Sequence, residues 1–261
     1  MDLKFNTSLA EAYHSPSQKA RVMTEDWFDR NMYCPVCGAP SLILFKPNKP
    51  VADFFCKRCS AQYELKSRKK KTPGIYNTVS GGEYDTMINR ISAHDHPHFF
   101  FLTYFDNKVL NLVFISSNCI TKECVEKRNP LSDTAKRKGW TGCNIHLSSI
   151  PENQKVDIIK TNIEMDKNDV MKKTHNVETP CREINRSKGW LVDVMLCVDK
   201  LGEEFTIDDV YNFTEELQAK HPRNHHVHDK IRQQLQFLRN KGYIDFTSPG
   251  VYRRAGSDSL L

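Results

Sequence analysis

CPVCGAPSLILFKPNKPVADFFCKRCSAQYELK is the sequence of residues 34–66, and two C-x2-C pairs enclose most of it. The pairs are Cys34/Cys37 and Cys56/Cys59, with 18 residues between them. This spacing is typical of a four-cysteine zinc ribbon, in which two tight turns place four thiolates around Zn2+. Because four thiolates leave no open coordination position, we predict a structural zinc ion. Two redox pairs or incidental thiols are the alternatives, although a redox site more typically uses one C-x-x-C at a helix N-terminus.

The same stretch contains two carboxylates and a lysine. Asp53 lies in a strand-like run, residues 51–55, and Glu64 and Lys66 lie in a second run, residues 62–67. Side chains alternate along a strand, so Glu64 and Lys66 share a face, and Asp53 can join them if the two strands pair. Such a set can hold Mg2+ and orient a water. The alternative is a surface salt bridge on a zinc ribbon.

The composition indicates a folded protein of one or two domains, because the chain has 261 residues, of which 39% are hydrophobic. It contains no run of 18 apolar residues, and its N-terminus lacks the pattern of a secretory signal. We therefore expect a cytoplasmic protein with no membrane partner. Four of the nine cysteines have metal spacing and the others are scattered, which suits a reducing compartment.

Basic residues are clustered, although the formal net charge is only +6. Residues 66–71 contain five basic side chains in six positions, and residues 136–138 read KRK, so Lys136 and Arg137 are candidate DNA contacts. Residues 201–219 contain acids but no Lys or Arg, whereas residues 220–241 are strongly basic. Such clustering indicates a polyanion-binding surface, with solvated charged faces as the alternative.

The middle of the chain predicts a buried sheet. His98–Tyr104 and Lys108–Ile115 are strand-like runs joined at Asp106-Asn107, a favourable turn pair, and their continuous apolar character indicates strands that are covered on both faces. Residues 143–147 and 155–165 are weaker strand candidates. Residues 166–186 are polar, and we predict an interdomain linker there.

The C-terminal part predicts three helices and a β-hairpin, the order of a winged helix-turn-helix. The second helix begins at a capping box formed by Thr206 and Asp209. We place the third helix from about Val227 and predict that it carries, outside its apolar stripe, the polar side chains that contact DNA, with a protein-binding winged helix or a histidine metal site as alternatives. These candidate DNA contacts are Arg223, His225, His226, His228, Lys230, Arg232 and Gln233.

Several segments together closely resemble the DpnI-type restriction endonucleases, which belong to the PD-(D/E)xK nuclease superfamily. These segments are SQKARVMTEDWFDRNMYCPVCG, PVADFFCKRCSAQYELKSRKK, FFFLTY, RKGWTGCNI and KIRQQLQFLRNKGYI. The resemblance extends to about Arg254 and is weakest over residues 152–186. One departure is Ala52, which directly precedes Asp53 where the superfamily often has proline; Pro50 lies three positions before Asp53.

The resemblance implies a type II, methyl-directed endonuclease that cuts GATC sites only when the adenine carries an N6-methyl group. It implies catalytic roles for Asp53, Glu64 and Lys66, Mg2+ at Asp53 and Glu64, and Zn2+ at the four cysteines. It also implies that Trp140 contacts the methyl groups, with a core tryptophan as the alternative. The implied partner is adenine-methylated double-stranded DNA, bound by a monomer in the bacterial cytoplasm.

We therefore predict an α+β or α/β fold: a PD-(D/E)xK restriction-endonuclease-like domain with an inserted four-cysteine zinc site, residues 1–182, and a winged-helix domain, residues 183–254. A disordered tail is predicted for residues 255–261. Two other functions stay open, a nuclease of the same fold with another DNA target and a non-enzymatic zinc-ribbon and winged-helix reader of DNA.

Overall fold

The structure is a computed structural model, and it describes residues 1–46, 50–93, 95–182, 188–240 and 242–254. The chain divides into two compact units. Residues 1–149 and 153–175 form the first unit, and residues 150–152 and those from 176 onward form the second. The predicted tail, residues 255–261, lies outside the described residues. Within the described ranges, no helix is both long and apolar enough to span a bilayer.

The described part of the chain contains seven α-helices. They are α1 (Pro16–Asn31), α2 (Tyr84–Ser92), α3 (Lys167–Arg182), α4 (Lys188–Asp199), α5 (Ile207–Tyr211), α6 (Thr214–Lys220) and α7 (Val227–Asn240). The same residues contain thirteen strands. They are β1 (Ile43–Leu44), β2 (Phe54–Phe55), β3 (Gln62–Lys69), β4 (Thr78–Glu83), β5 (His98–Phe105), β6 (Lys108–Ile115), β7 (Val125–Lys127), β8 (Gly142–His146), β9 (Lys155–Lys160), β10 (Ile163–Glu164), β11 (Glu204–Thr206), β12 (Ile244–Ser248) and β13 (Val251–Arg254).

A mixed seven-stranded sheet forms the centre of the first unit, in the order β1-β2-β3-β5-β6-β9-β10. Strands β3 and β5 are parallel, and the other neighbours are antiparallel. The predicted pair of buried strands is confirmed as β5 and β6, which are almost entirely buried. Asp106 and Asn107 join them with φ of 48° and 55°, as a tight hairpin turn requires.

Helix α1 packs against the large sheet through aromatic side chains. Phe28 is fully buried, and its ring centroid lies 4.6 Å from that of Phe54 and 4.8 Å from that of Phe100. In the parallel register of β3 and β5, Leu65 is opposite Phe100, whereas Glu64 and Lys66 are opposite Phe99 and Phe101. Because side chains alternate along a strand, Glu64 and Lys66 project from the sheet face opposite to α1.

A second, antiparallel sheet in this unit has the order β4-β8-β7. The weak strand candidate at residues 143–147 corresponds to β8, and the candidate at 155–165 corresponds to the hairpin of β9 and β10. Strand β4 was not predicted from the sequence, because its Ser-Gly-Gly run lacks the apolar alternation of a typical strand. Helix α2 follows β4 directly, and Glu83 caps its N-terminus by accepting hydrogen bonds from the backbone N–H groups of Asp85 and Thr86.

The boundary between the two units falls between residues 175 and 176, inside the predicted linker at 166–186, but residues 167–182 of this segment form helix α3. Val170, Thr174 and Val177 recur at helical spacing and are buried, but only two of them are apolar. The apolar stripe is therefore too sparse to identify the helix against its polar composition. The remaining predicted linker residues, 183–187, lie outside the described residues.

The second unit has the elements of a winged helix. Strands β11, β13 and β12 form a three-stranded antiparallel sheet, and α4 to α7 surround a core that includes Val194, Leu217 and Leu235. The capping box at Thr206 and Asp209 is confirmed. The helix predicted after it is two helices, α5 and α6, which separate at Asn212–Phe213, and the short strand β11 was not predicted.

Candidate active site and metal centre

The four cysteines of the two C-x2-C pairs form one cluster. Their Sγ atoms all lie within 4.8 Å of one another, with 3.6 Å between Cys34 and Cys59 and 3.5 Å between Cys37 and Cys56. For a Zn–S bond of about 2.3 Å, the edge of a tetrahedron is about 3.8 Å. The cluster therefore fits a tetrahedral zinc ion. Within the described ranges it is the sole His, Cys, Asp or Glu group of three or more that could hold a metal.

The two turns of the cluster have the same backbone geometry. The N–H of Gly38 donates to the carbonyl of Cys34 at 2.8 Å, and the N–H of Ser60 donates to the carbonyl of Cys56 at 2.9 Å. Gly38 and Ser60 both have positive φ, at 73° and 61°. A matched pair of tight turns is what two halves of one tetrahedral site require.

Two hydrogen bonds favour the thiolate form of Cys37. Burial works against ionisation of Cys37, but a hydrogen bond from the Ala39 backbone and another from the Arg58 side chain lower its pKa to about 6. Arg58 Nε lies 3.3 Å from Cys37 Sγ. In the absence of metal, burial raises the pKa of Cys59 to about 11. A bound zinc ion would offset the cost of ionising these buried thiols, because zinc binds thiolates and stabilises their charge.

Asp53 is held against β3 by two hydrogen bonds, although it is not within a strand as predicted. It lies in the bend just before β2. Its backbone N–H donates to the carbonyl of Tyr63, and its Oδ2 accepts from the backbone N–H of Leu65, both at 2.8 Å. Strands β2 and β3 pair in antiparallel register, so the sequence prediction that Asp53 joins Glu64 and Lys66 is consistent with the observed geometry.

Glu64 and Lys66 form an ion pair on the shared face of β3. Glu64 is 6% exposed, so this is not an exposed salt bridge of the kind considered as an alternative. Burial, together with the charge of Glu64, raises the pKa of Asp53 to about 7. Burial acts to lower the pKa of Lys66, but the neighbouring Glu64 and Asp53 carboxylates outweigh it and raise this pKa.

This arrangement is suited to a divalent cation. Burial and the charge of Glu64 hinder the ionisation of Asp53, and a cation between the two carboxylates would relieve this cost; carboxylate oxygens are also the ligands that Mg2+ prefers. An ammonium group beside them can stabilise negative charge on a phosphate. The site therefore has the donors and the charge that hydrolysis of a phosphodiester requires.

Helix α1 adds a charged pair that sequence reasoning did not assign to the site. Glu25 pairs with Arg21 at 2.7 Å, and its side chain is 18% exposed. The charge of Glu25 contributes to the raised pKa of Asp53, and the charge of Asp53 contributes to the raised pKa of Arg21. An i,i+4 acid–base pair is common on helices, so the sequence carries no signal that separates this one.

Trp140 lies in the loop between β7 and β8 and is half-buried, so it is not the core tryptophan considered as an alternative. Its backbone is fixed because its carbonyl accepts from the N–H of Leu131 at 2.9 Å. The Arg137 guanidinium lies 4.6 Å from the centre of the ring, and Lys136 beside it is exposed. This loop thus combines an accessible aromatic ring with basic side chains.

The candidate DNA contacts of the second unit fall into two groups. Three of them precede α7 rather than lying on it, because the helix begins only at Val227. This corrects the prediction that the helix carries Arg223, His225 and His226. The three are exposed and line a surface cavity of about 500 Å³ with Trp190, Lys220, His221, Pro222 and Asn224.

The other candidates lie on α7 itself. The ring of His228 stacks on Tyr211 with 4.0 Å between centroids, and Arg232 lies 5.7 Å from the centre of the same ring. Lys230 Nζ donates to Gln233 Oε1 at 2.7 Å. His228, Arg232 and Gln233 are exposed, so α7 presents basic and amide groups to the surface while its apolar side is buried.

A sheet-based unit with a buried carboxylate–lysine site and a four-cysteine cluster, followed by a helix-turn-helix unit, defines a nuclease-like, DNA-binding class of protein. The comparison with family models agrees with this description. Residues 1–179 match the DpnI model, described as the Dam-replacing family, and residues 186–254 match the DpnI_C model, the Dam-replacing HTH domain. The chain belongs to the DpnI family of methyl-directed restriction endonucleases. The resemblance to the DpnI-type endonucleases that was identified from sequence is confirmed.

Replacement of Asp53 by Asn should stabilise the zinc-loaded protein at high pH when Mg2+ is absent. The pKa of Asp53 is higher in the folded protein than in the unfolded chain, so the unfolded chain ionises first as pH rises. The free energy of unfolding therefore falls as pH rises from about 4 towards 7. Asn carries no charge and keeps an oxygen for the Leu65 N–H. We expect Asp53→Asn to raise the free energy of unfolding by about 1–3 kcal/mol at pH 8.

Urea denaturation of the zinc-loaded proteins without Mg2+ at pH 5 and pH 8 measures this difference, which should be smaller at pH 5. Asp133→Asn is the control, because the Asp133 side chain is 82% exposed. Equal stability of Asp53→Asn and the parent at pH 8 would contradict the burial argument.

Replacement of Cys56 by Ser should release zinc and lower the rate of DNA cleavage. We expect this although the cysteines of the cluster do not share the face of β3 that carries Glu64 and Lys66. The turn at Cys56–Cys59 connects β2 with β3, so its loss should misplace Asp53 relative to Glu64. Metal analysis should give one zinc per parent chain and less for Cys56→Ser. Cys124→Ser, which replaces a buried thiol outside the cluster, should retain zinc. A zinc-free, folded Cys56→Ser protein with full activity would contradict this role.

Proposed function

We propose that the chain is a Mg2+-dependent type II endonuclease that hydrolyses double-stranded DNA at GATC sites containing N6-methyladenine. The family supports methyl-directed cleavage, and the buried set of Asp53, Glu64 and Lys66 is the observation that carries the proposed chemistry. The proposal includes a PD-(D/E)xK nuclease domain, residues 1–182, a winged-helix domain, residues 183–254, and action as a monomer.

In this proposal each polar group of the site has one task. Asp53 and Glu64 would hold Mg2+, which when bound would supply Lewis-acid stabilisation of the scissile phosphate and of the attacking water. The Leu65 N–H occupies Asp53 Oδ2 and so orients the other oxygen of this carboxylate. Lys66 has a raised pKa and an ion pair with Glu64, so it favours the ammonium form. In that form it positions the water and stabilises charge on the phosphate.

Methyl recognition in this proposal uses an apolar contact. The N6-methyl group of adenine projects into the major groove, where the amino group of the base is otherwise a donor. An aromatic wall at Trp140 would contribute about 1 kcal/mol for each buried methyl group. A palindromic site carries two methyl groups, which roughly doubles the preference. Lys136 and Arg137 beside Trp140 would contact phosphates.

The winged helix provides a second DNA-binding surface. The three exposed residues before α7, Arg223, His225 and His226, would lie near the DNA backbone or base edges, because the N-terminal part of a recognition helix enters the major groove. His228, Lys230, Arg232 and Gln233 on α7 would add contacts along the groove. The contacts of His228 and Arg232 with Tyr211 would hold these two side chains in place.

The parent protein with Mg2+ should cut a GATC-methylated plasmid and leave the unmethylated plasmid intact. Lys66→Ala should slow cleavage by at least about 100-fold, because it removes one group that stabilises the transition state. The Lys66→Ala protein should still bind the methylated duplex. Lys160→Ala is a matched control in the same sheet, because the Lys160 side chain is 67% exposed.

Plasmid digestion and gel-shift binding test these expectations. Cleavage of both plasmids would refute methyl specificity. Binding of the methylated duplex with no cleavage by the parent would instead support the non-enzymatic reader. Cleavage of methylated DNA at sites other than GATC would indicate a nuclease with another target.

Trp140→Ala should reduce the preference for methylated over unmethylated sites by about 30-fold, the equivalent of two methyl contacts. Gly142→Ala should act in the same direction, because its Cβ would lie 2.8 Å from Cη2 of Trp140 and displace the ring. Gly82→Ala is the control, since its Cβ would meet no atom within 4 Å. Competition binding with matched duplexes measures the preference, and an unchanged ratio in Trp140→Ala would exclude this ring as the methyl contact.

A further inference from the structure

Tyr63 links the cysteine cluster with the strand that carries Glu64 and Lys66. It is the second residue of β3, immediately before Glu64, and it is fully buried. Its hydroxyl oxygen lies 2.9 Å from Cys34 Sγ. A phenol keeps its proton at neutral pH and a zinc-bound cysteine is a thiolate, so the hydroxyl is the donor and the sulfur is the acceptor.

The backbone of Tyr63 contacts the other half of the candidate active site. Its carbonyl accepts the N–H of Asp53 at 2.8 Å, and Phe54 is its partner in the β2–β3 register. One residue therefore contacts a zinc ligand through its side chain and Asp53 through its backbone. It also precedes Glu64 in the chain, so its position affects both carboxylates.

Aromatic packing fixes the direction of the Tyr63 side chain. Its ring centroid lies 5.3 Å from that of Phe100, 5.5 Å from that of His98 and 6.5 Å from that of Phe114. A ring enclosed in this way cannot move without disturbing the core of the large sheet. The hydroxyl is thus a rigid donor, and the position of the Cys34 sulfur is tied to that of β3.

We propose that Tyr63 is a positioning residue that couples zinc binding to the geometry of the active-site strand. The hydroxyl stabilises the zinc-bound thiolate of Cys34, and in return the bound zinc holds Tyr63, and with it β3 and Asp53, in register. Groups that hydrogen-bond to metal ligands typically change metal affinity by 10–100-fold when removed. The part of this inference that concerns catalysis rests on the proposed function, whereas the zinc coupling does not.

Tyr63→Phe removes the hydroxyl and keeps the ring, so it tests the hydrogen bond with little change in packing. Tyr33→Phe is a matched control. Tyr33 directly precedes Cys34 and is also buried, and its hydroxyl has no hydrogen-bond partner among the described residues. The two variants therefore lose the same atom next to the same ligand, and only one of them loses a contact with the sulfur.

Chelator competition on the zinc-loaded, full-length proteins measures the first effect. We expect Tyr63→Phe to bind zinc at least about tenfold more weakly than the parent, and Tyr33→Phe to match the parent. Equal zinc affinity of Tyr63→Phe and the parent, or an equal loss in both variants, would overturn the proposal.

Hydrogen exchange at saturating zinc measures the second effect without using cleavage. The Leu65 N–H donates to Asp53 Oδ2, so its protection reports the contact between Asp53 and β3. We expect this amide to exchange about fivefold faster in Tyr63→Phe than in the parent or in Tyr33→Phe. Unchanged protection would overturn the coupling to Asp53. A parent that cuts no DNA would refute the proposed function and leave both measurements valid.

Discussion

The contact between Asp53 and β3 is the interaction on which the candidate active site depends. Two hydrogen bonds of 2.8 Å join Asp53 to Tyr63 and Leu65, and they place an otherwise irregular segment beside the strand that carries Glu64 and Lys66. The connection between these segments is the second cysteine turn. The β2–β3 hairpin thus carries Glu64 and Lys66 together with one of the two cysteine turns, and this turn restrains the hairpin loop.

Both sites place negatively charged groups in neighbouring parts of the first unit, and both need positive partners. Four thiolates need a cation and nearby donors, which Arg58 and the backbone of the turns provide. The carboxylates need burial near a positive charge, and burial raises the pKa of Asp53. Strand β3 separates these environments because its side chains alternate, so that Tyr63 is directed to the cysteine cluster and Glu64 to the other face.

Sequence patterns were reliable where a short spacing implies a geometry. The C-x2-C pairs predicted the cluster, the Asp106-Asn107 turn predicted the hairpin, and Thr206 with Asp209 predicted the capping box. They failed where tertiary packing compensates for weak local patterns. Helix α3 has a buried Thr174 within its apolar stripe, and β4 contains Ser-Gly-Gly, so neither has the periodicity that identifies an element.

The sequence by itself determined the family, the four-cysteine cluster and the order of the domains, because these depend on residue type and on spacing along the chain. The tertiary structure alone decided which groups meet across long separations. The Tyr63 hydroxyl reaches Cys34, and Glu25 on α1 contributes to the field at Asp53. Those contacts follow from strand register and helix packing, which are set by burial of the whole core and leave no local trace in the sequence.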